Sequence, residues 1–145
     1  MKTQRESGDA GFTFIETLIV LAIMVILSAG IGIPALKQIE RAKRIASKGQ
    51  IETFRIALQT YYLDCGSYPE SAQGLDALYT KPVITPVPAE WQGPYTDRAI
   101  PDDPWGTEYG YRSPGPDGLP YSIISYGADR TEGGTENDAD ICSWK

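Results

Sequence analysis

Histidine is absent from this 145-residue chain, and cysteine occurs only twice, at Cys65 and Cys142. Without imidazole, and with no Cys-x-x-Cys pair, most zinc, haem and His-based acid–base chemistry is excluded. Basic residues are scarce in the distal part, where residues 51–145 hold six Lys/Arg against fifteen Asp/Glu. That balance lacks the positive footprint that phosphate binding requires, so nucleic acid is not an expected partner. Internal repeats and low-complexity tracts are missing as well.

What the chain does have is an apolar run. From Thr17 to Leu36 there are twenty consecutive uncharged residues rich in Leu, Ile, Val and Ala. As a helix, that run spans roughly 30 Å, the thickness of a bilayer's hydrocarbon core. Glu16 stands at its edge, and a carboxylate there marks either a functional acid or the tolerated edge of a signal anchor. The start of the chain is short and polar, with Lys2 and Arg5 against Glu6 and Asp9. The run is too long for an ordinary secretory h-region, and only Ser28-Ala29-Gly30 offers a weak cleavage site after it. The small-residue boundary Gly11-Phe12 lies before it, so cleavage there leaves the whole hydrophobic helix on the mature chain. A basic stretch follows directly: Lys37, Arg41, Lys43, Arg44 and Lys48 against Glu40, a net +4. The positive-inside rule would place that side in the cytoplasm.

Glycines 30 and 32 and Pro34 predict a kink or loosening of the helix. Beyond them, Ile51, Phe54, Leu58, Tyr61 and Tyr62 form one apolar stripe at helical spacing, with Glu52, Arg55 and Gln59 off it. The pattern predicts a single long helix from about Phe12 to Leu63, stopped by Asp64-Cys65-Gly66. Residues 72–78 read as a short helix capped by Ser71. Prolines at 82, 86, 88, 94, 101 and 104 then forbid regular ladders. Asp103-Pro104-Trp105-Gly106 has the chemistry of a type I turn. Tyr109–Ser113 and Tyr121–Tyr126 read as strands of a hairpin joined by Pro114-Gly115-Pro116-Asp117-Gly118. The segment after residue 63 can hold only a small core, so the long helix must cover the sheet.

Two further signals keep alternatives open. Cys65 and Cys142 are either a candidate disulfide closing a long loop or two small buried thiols. The segment 127–140 carries five acids, Asn137 and three glycines. It is either a solvated acidic loop or a Ca²⁺ site, since calcium takes six to eight oxygens at flexible geometry. It lacks the EF-hand order.

Gly11-Phe12-Thr13-Phe14-Ile15-Glu16-Thr17-Leu18 resembles the processing motif of type IV pilins and type II secretion pseudopilins. The head segments narrow the likeness. Tyr68-Pro69, Gln73-Gly74-Leu75-Asp76-Ala77-Leu78, Lys81-Pro82, Asp103-Pro104-Trp105-Gly106, Tyr109, Tyr126-Gly127-Ala128-Asp129 and the Asp138-to-Trp144 ending resemble the major pseudopilins of type II secretion, the general secretion pathway G type. The resemblance implies an α+β, pilin-like fold: a long N-terminal helix, half transmembrane, packed on a small antiparallel sheet with a C-terminal calcium loop. It implies a leader over 1–11, a transmembrane and filament-core helix half over 12–34, and a periplasmic head over 35–145.

Prepilin peptidase would cut after Gly11 and methylate Phe12, and Glu16 would pair with the N-terminal amine of a neighbouring subunit. Asp129, Asp138, Asp140 and the carbonyl of Tyr126 would hold Ca²⁺, with Glu132 and Asn137 as further candidates. Arg130 replaces the Gly usual in the family and brings a positive charge beside that site. The implied role is a non-enzymatic structural subunit of the inner membrane and periplasm. It would polymerise with itself, minor pseudopilins and an inner-membrane platform into a filament that exports folded proteins. The alternative is a type IV or minor pilin acting as a surface adhesion module. A membrane-anchored hydrolase using Asp102 and Asp103 has the weakest basis, since acids beside turn prolines are usually turn formers.

Overall fold

The computed structural model describes residues 13–29, 32–135 and 138–144, and the chain divides into two compact units, Met1–Gln38 and Ile39–Lys145. Gly11 and Phe12, the expected processing pair, lie outside the described residues, as does Asn137.

In the first unit, helix α1 spans Phe14–Ala29. Thr13 starts it, because its Oγ1 and carbonyl both accept the Glu16 N–H, at 3.3 and 3.0 Å. Thr13 and Glu16 thus occupy the N-cap and N3 positions, where a carboxylate also suits the helix dipole. Ser28 returns its hydroxyl to the Met24 carbonyl at 2.7 Å. The sequence predicts one long helix from about Phe12 to Leu63, loosened near Gly30 to Pro34; the described residues from Phe14 to Leu63 are all helical, in α1 and in α2, which runs Gly32–Cys65. Among the described residues, no helix is long and apolar enough to cross a membrane. Sixteen residues of α1 reach roughly 24 Å at 1.5 Å per residue.

In the second unit, α2 is the backbone of a small core. Ile51, Phe54, Ala57, Leu58 and Tyr61 are buried, at spacings of three, three, one and three, which is one helical face. Tyr62, placed on that stripe from sequence, instead lies 40% exposed and stacks on Tyr68 at 4.8 Å. The helix ends where Gly66, at φ 76°, donates its N–H to the Tyr62 carbonyl at 2.8 Å. This is a left-handed C-cap that a residue with Cβ adopts at a cost.

The core is closed by Leu75, Ala77, Leu78, Trp105, Tyr109, Ile123 and Ile141. The predicted helix at 72–78 is a 3₁₀ turn over Leu75–Leu78 with no side-chain cap. Ser71 is used elsewhere: its hydroxyl donates to the Ser113 carbonyl at 3.0 Å and accepts the Ser113 N–H at 2.9 Å. A distant strand end outcompetes the local cap.

Strands β1 (Gly110–Arg112), β2 (Ser122–Ser125) and β3 (Ile141–Cys142) form an antiparallel sheet in the order β1-β2-β3. The expected hairpin pairs Tyr111 with Ile123, and Ser125 then pairs with Ile141 of β3. Ile123 and Ile141 turn inward to Phe54 and Leu58, while Gly110, Ile124 and Cys142 share the outer face.

The two cysteines are not joined. Cys65 closes α2, with its sulfur 3.9 Å from the Tyr95 hydroxyl. Cys142 lines a cleft with Lys48, Ile51, Glu52 and Arg55 of α2. From Arg55 to Cys65 the helix climbs roughly 15 Å, beyond the reach of a disulfide. The candidate bridge is therefore not made.

Candidate functional site

Two regions carry the sequence-predicted site residues: the first turn of α1 and the loop between β2 and β3. In α1, Glu16 is surrounded in sequence by apolar residues that are all exposed. Phe14 is 79% exposed, Val25 68% and Ile26 71%, and Leu18, Ile19 and Leu21 are uncovered as well. A helix that is hydrophobic on every side belongs in a bilayer or in the core of an assembly. Glu16 is the N3 residue of this helix as well as an acid in an apolar segment.

The β2–β3 loop brings only some of its predicted ligands together. Tyr126, Glu132 and Asp140 line one cleft of about 470 Å³ beside the outer face of the sheet. Asp140 is the most committed of them. Its Oδ2 accepts the Gly133 N–H at 2.9 Å, and its own N–H meets the Gly133 carbonyl at 3.2 Å. Among the described residues, its Oδ1 is buried without a hydrogen-bond partner. An orphaned buried carboxylate oxygen calls for a donor or a cation.

Asp129 is closed on itself as a local turn, its two oxygens accepting the Thr131 N–H at 3.2 Å and hydroxyl at 3.0 Å. Asp138 is exposed. Among the described residues, no three acidic or thiol side chains gather tightly enough to hold a metal ion. The donors are nonetheless oxygen only, which suits a hard cation. Gly134, at φ 80°, lets the Asp138 carbonyl approach so closely that a Cβ there would clash with it. Asp140 thus offers one unpaired oxygen, while Asp129 is closed on Thr131 and Asp138 is exposed, so the three carboxylates do not converge.

Sequence reading missed what holds this loop to the head. Arg44 of α2 donates to the Ala139 carbonyl at 2.7 Å, and Arg130 donates to the Trp105 carbonyl at 2.7 Å. Arg130 adopts φ 60°, the left-handed conformation that favours the Gly of the family pattern. Trp105 in turn donates its indole N–H to Glu40 at 2.8 Å, with the Lys43 ammonium 5.9 Å from its ring.

Asp103, read from sequence as a turn former, is 4% exposed. It does form the turn: its carbonyl accepts the Gly106 N–H at 2.9 Å. Its carboxylate also accepts the N–H groups of Trp105 and Thr107 and the Ser125 hydroxyl, at 3.0, 2.9 and 2.6 Å. Asp103 is thus a fully satisfied buried acid that joins the Pro104 turn to β2, and its oxygens are spoken for.

Burial raises several phenols around this core. Tyr61 is pushed up to about 12, first by burial and then by Cys65 beside it. Tyr95 and Tyr111 are raised as well, chiefly by burial. Such phenols are neutral packing groups, and none of them is poised for proton transfer.

A long N-terminal helix carrying a small three-stranded antiparallel head defines a pilin-like protein. The chain belongs to the type II secretion system protein G family. That family's model, described as Type II secretion system (T2SS), protein G, matches residues 35–144, and the prokaryotic N-terminal methylation motif matches residues 7–32. The chain is 42% identical over 136 residues to the type II secretion system core protein G of Pseudomonas aeruginosa, covering 94% of this chain and 95% of that one. It is 39% identical over 145 residues to the core protein G of Vibrio cholerae, covering 99% and 96%. Its fold is similar to the crystal structure of the major pseudopilin from the type 2 secretion system of enterohaemorrhagic Escherichia coli. The TM-score is 0.64 at 33% identity, over 75% of this chain and 92% of that one.

Proposed function

We propose that this chain is a structural subunit of a secretion pseudopilus: it is stored in the bacterial inner membrane with its head in the periplasm and polymerises into a filament that drives export of folded proteins. The observation that carries this reading is α1, whose apolar side chains are exposed on every side and which holds one carboxylate, Glu16, in its first turn. Such a helix is stable in lipid or in a bundle of its own kind, and the protein alternates between the two.

Prepilin peptidase cuts between Gly11 and Phe12 and methylates the new N-terminus. Glu16 then pairs with the Phe12 amine of a neighbour, because each charge removes the other's unpaired cost in a dry bundle. Minor pseudopilins and an inner-membrane platform are its other partners. The head does no covalent chemistry. Asp140, Asp138, Asp129 and the Tyr126 carbonyl would hold calcium, whose divalent charge would offset the acids of this loop and steady it against the sheet. The orphaned Asp140 oxygen supports that role.

Glu16→Ala in the full chain tests the assembly reading. Membrane insertion is expected to be intact, with filaments lost in electron micrographs of sheared cells; normal filaments from the variant would refute the register role.

A further inference from the structure

The part of α2 in the second unit carries a second seam besides its buried face. Arg41, Lys48 and Arg55 recur every seven residues, so they lie on one line along the helix, and all three are exposed. Arg55 is held in place by Glu52, whose two oxygens accept from it at 2.7 and 2.9 Å. Among the described residues, no ion pair forms at Arg41 or Lys48. On the other flank of the helix, Gln50, Thr53 and Thr60 face Asp97, Arg98 and Pro101 across a groove. Pro101 also borders a neighbouring cleft lined by Asp76, Asp102 and Glu108, and these acids are exposed. At about 100° per residue, the two flanks stand roughly 160° apart around the helix. Even with Arg55 paired to Glu52 and Arg98 beside Asp97, one side of the head carries a net positive charge, from Arg41 and Lys48, and the opposite side a net negative one, from Asp76, Asp97, Asp102 and Glu108.

We propose that Arg41, Lys48 and Arg55 of one subunit dock against Asp97, Asp102 and Glu108 of a second copy of this chain. The contact rests on the assembly reading above and names its lateral surface. Because the two surfaces differ and lie on opposite flanks, the contact is head-to-tail and does not close on itself, the geometry that produces open filaments. Charge complementarity fixes which subunit face meets which and disfavours the reverse pairing.

Charge exchange in the full chain, within a bacterium carrying the secretion system, tests this contact. Arg41→Glu with Lys48→Glu is expected to lower filament yield by at least about tenfold, and Asp97→Lys with Asp102→Lys to do the same, since like charges then face each other. All four substitutions together are expected to restore filaments. The head's melting temperature, measured for each variant, should stay at the wild-type value, since these side chains are exposed. Filaments that remain as scarce in the fourfold variant as in either pair would overturn the contact. So would loss of binding to phosphatidylglycerol vesicles in the basic-side variant with normal filaments in the acidic-side one, because the stripe would then serve lipid headgroups. A wild-type chain that forms no filaments would instead sink the assembly reading itself.

Discussion

Helix α1 and the second half of α2 use similar residues to opposite ends. In α1, Leu, Ile and Val occur at every angle, and all the described ones are exposed. In α2, apolar residues over 51–61 keep one face, and Ile51, Phe54, Leu58 and Tyr61 are each at most 2% exposed. The second arrangement is satisfied within one chain, because a stripe needs only one packing partner. The first needs a surrounding, either lipid or other helices. The difference shows that the head is a finished fold and that α1 is an unfinished surface.

The largest test of that contrast is Phe54→Ala. Phe54 is 1% exposed and meets the Tyr109 ring edge-on at 5.2 Å. Its truncation is expected to destabilise the head by about 3–5 kcal/mol in denaturant unfolding. Leu21→Ala, on exposed α1, is expected to leave the same transition in place. Equal losses from both would erase the distinction between the two helices.

A smaller effect sharpens the boundary between the head's core and its acidic loop. Chelation of divalent cations is expected to lower the head's stability by about 2–3 kcal/mol if calcium is normally present at a hundredfold excess over its dissociation constant. Asp140→Ala should abolish the response, whereas a chelator-insensitive wild-type melt would remove calcium from the loop.

The smallest is alkaline. Tyr61 carries a phenol raised from its ordinary value of 10 to about 12. Its contribution is full below pH 10 and is lost as pH rises through about 12, since the unfolded chain releases that proton first. A loss of about 1–2 kcal/mol across that window is expected, and Tyr61→Phe should reduce it. An identical alkaline profile in the variant would show that Tyr61 is not the group responsible.

Much of this was legible in the sequence, for definite reasons. The stripe at 51, 54, 58 and 61 was readable because helical spacing is a local property, and the β1–β2 hairpin because its turn residues lie between its strands. Strand β3 was missed: two residues after an acidic loop carry no period. Ser71 was misread as a cap because its true partner, Ser113, is 42 residues away. The same holds for the loop's tethers. Arg44 reaches Ala139 across 95 positions, and Trp105 reaches Glu40 across 65. Nothing near either residue in the sequence announces those bonds. The cysteines show the converse, since two thiols invite pairing on paper while the rise of α2 holds them apart.

One consequence follows from the way α2 buries a single face. The residues that make the head a solid object are not the residues it shows to others. Surface charge can therefore be rewritten, and whole flanks can change sign, while the interior keeps its fit. A lineage of such subunits is free to retune which copies recognise one another, and its members can drift apart in specificity while remaining interchangeable in shape.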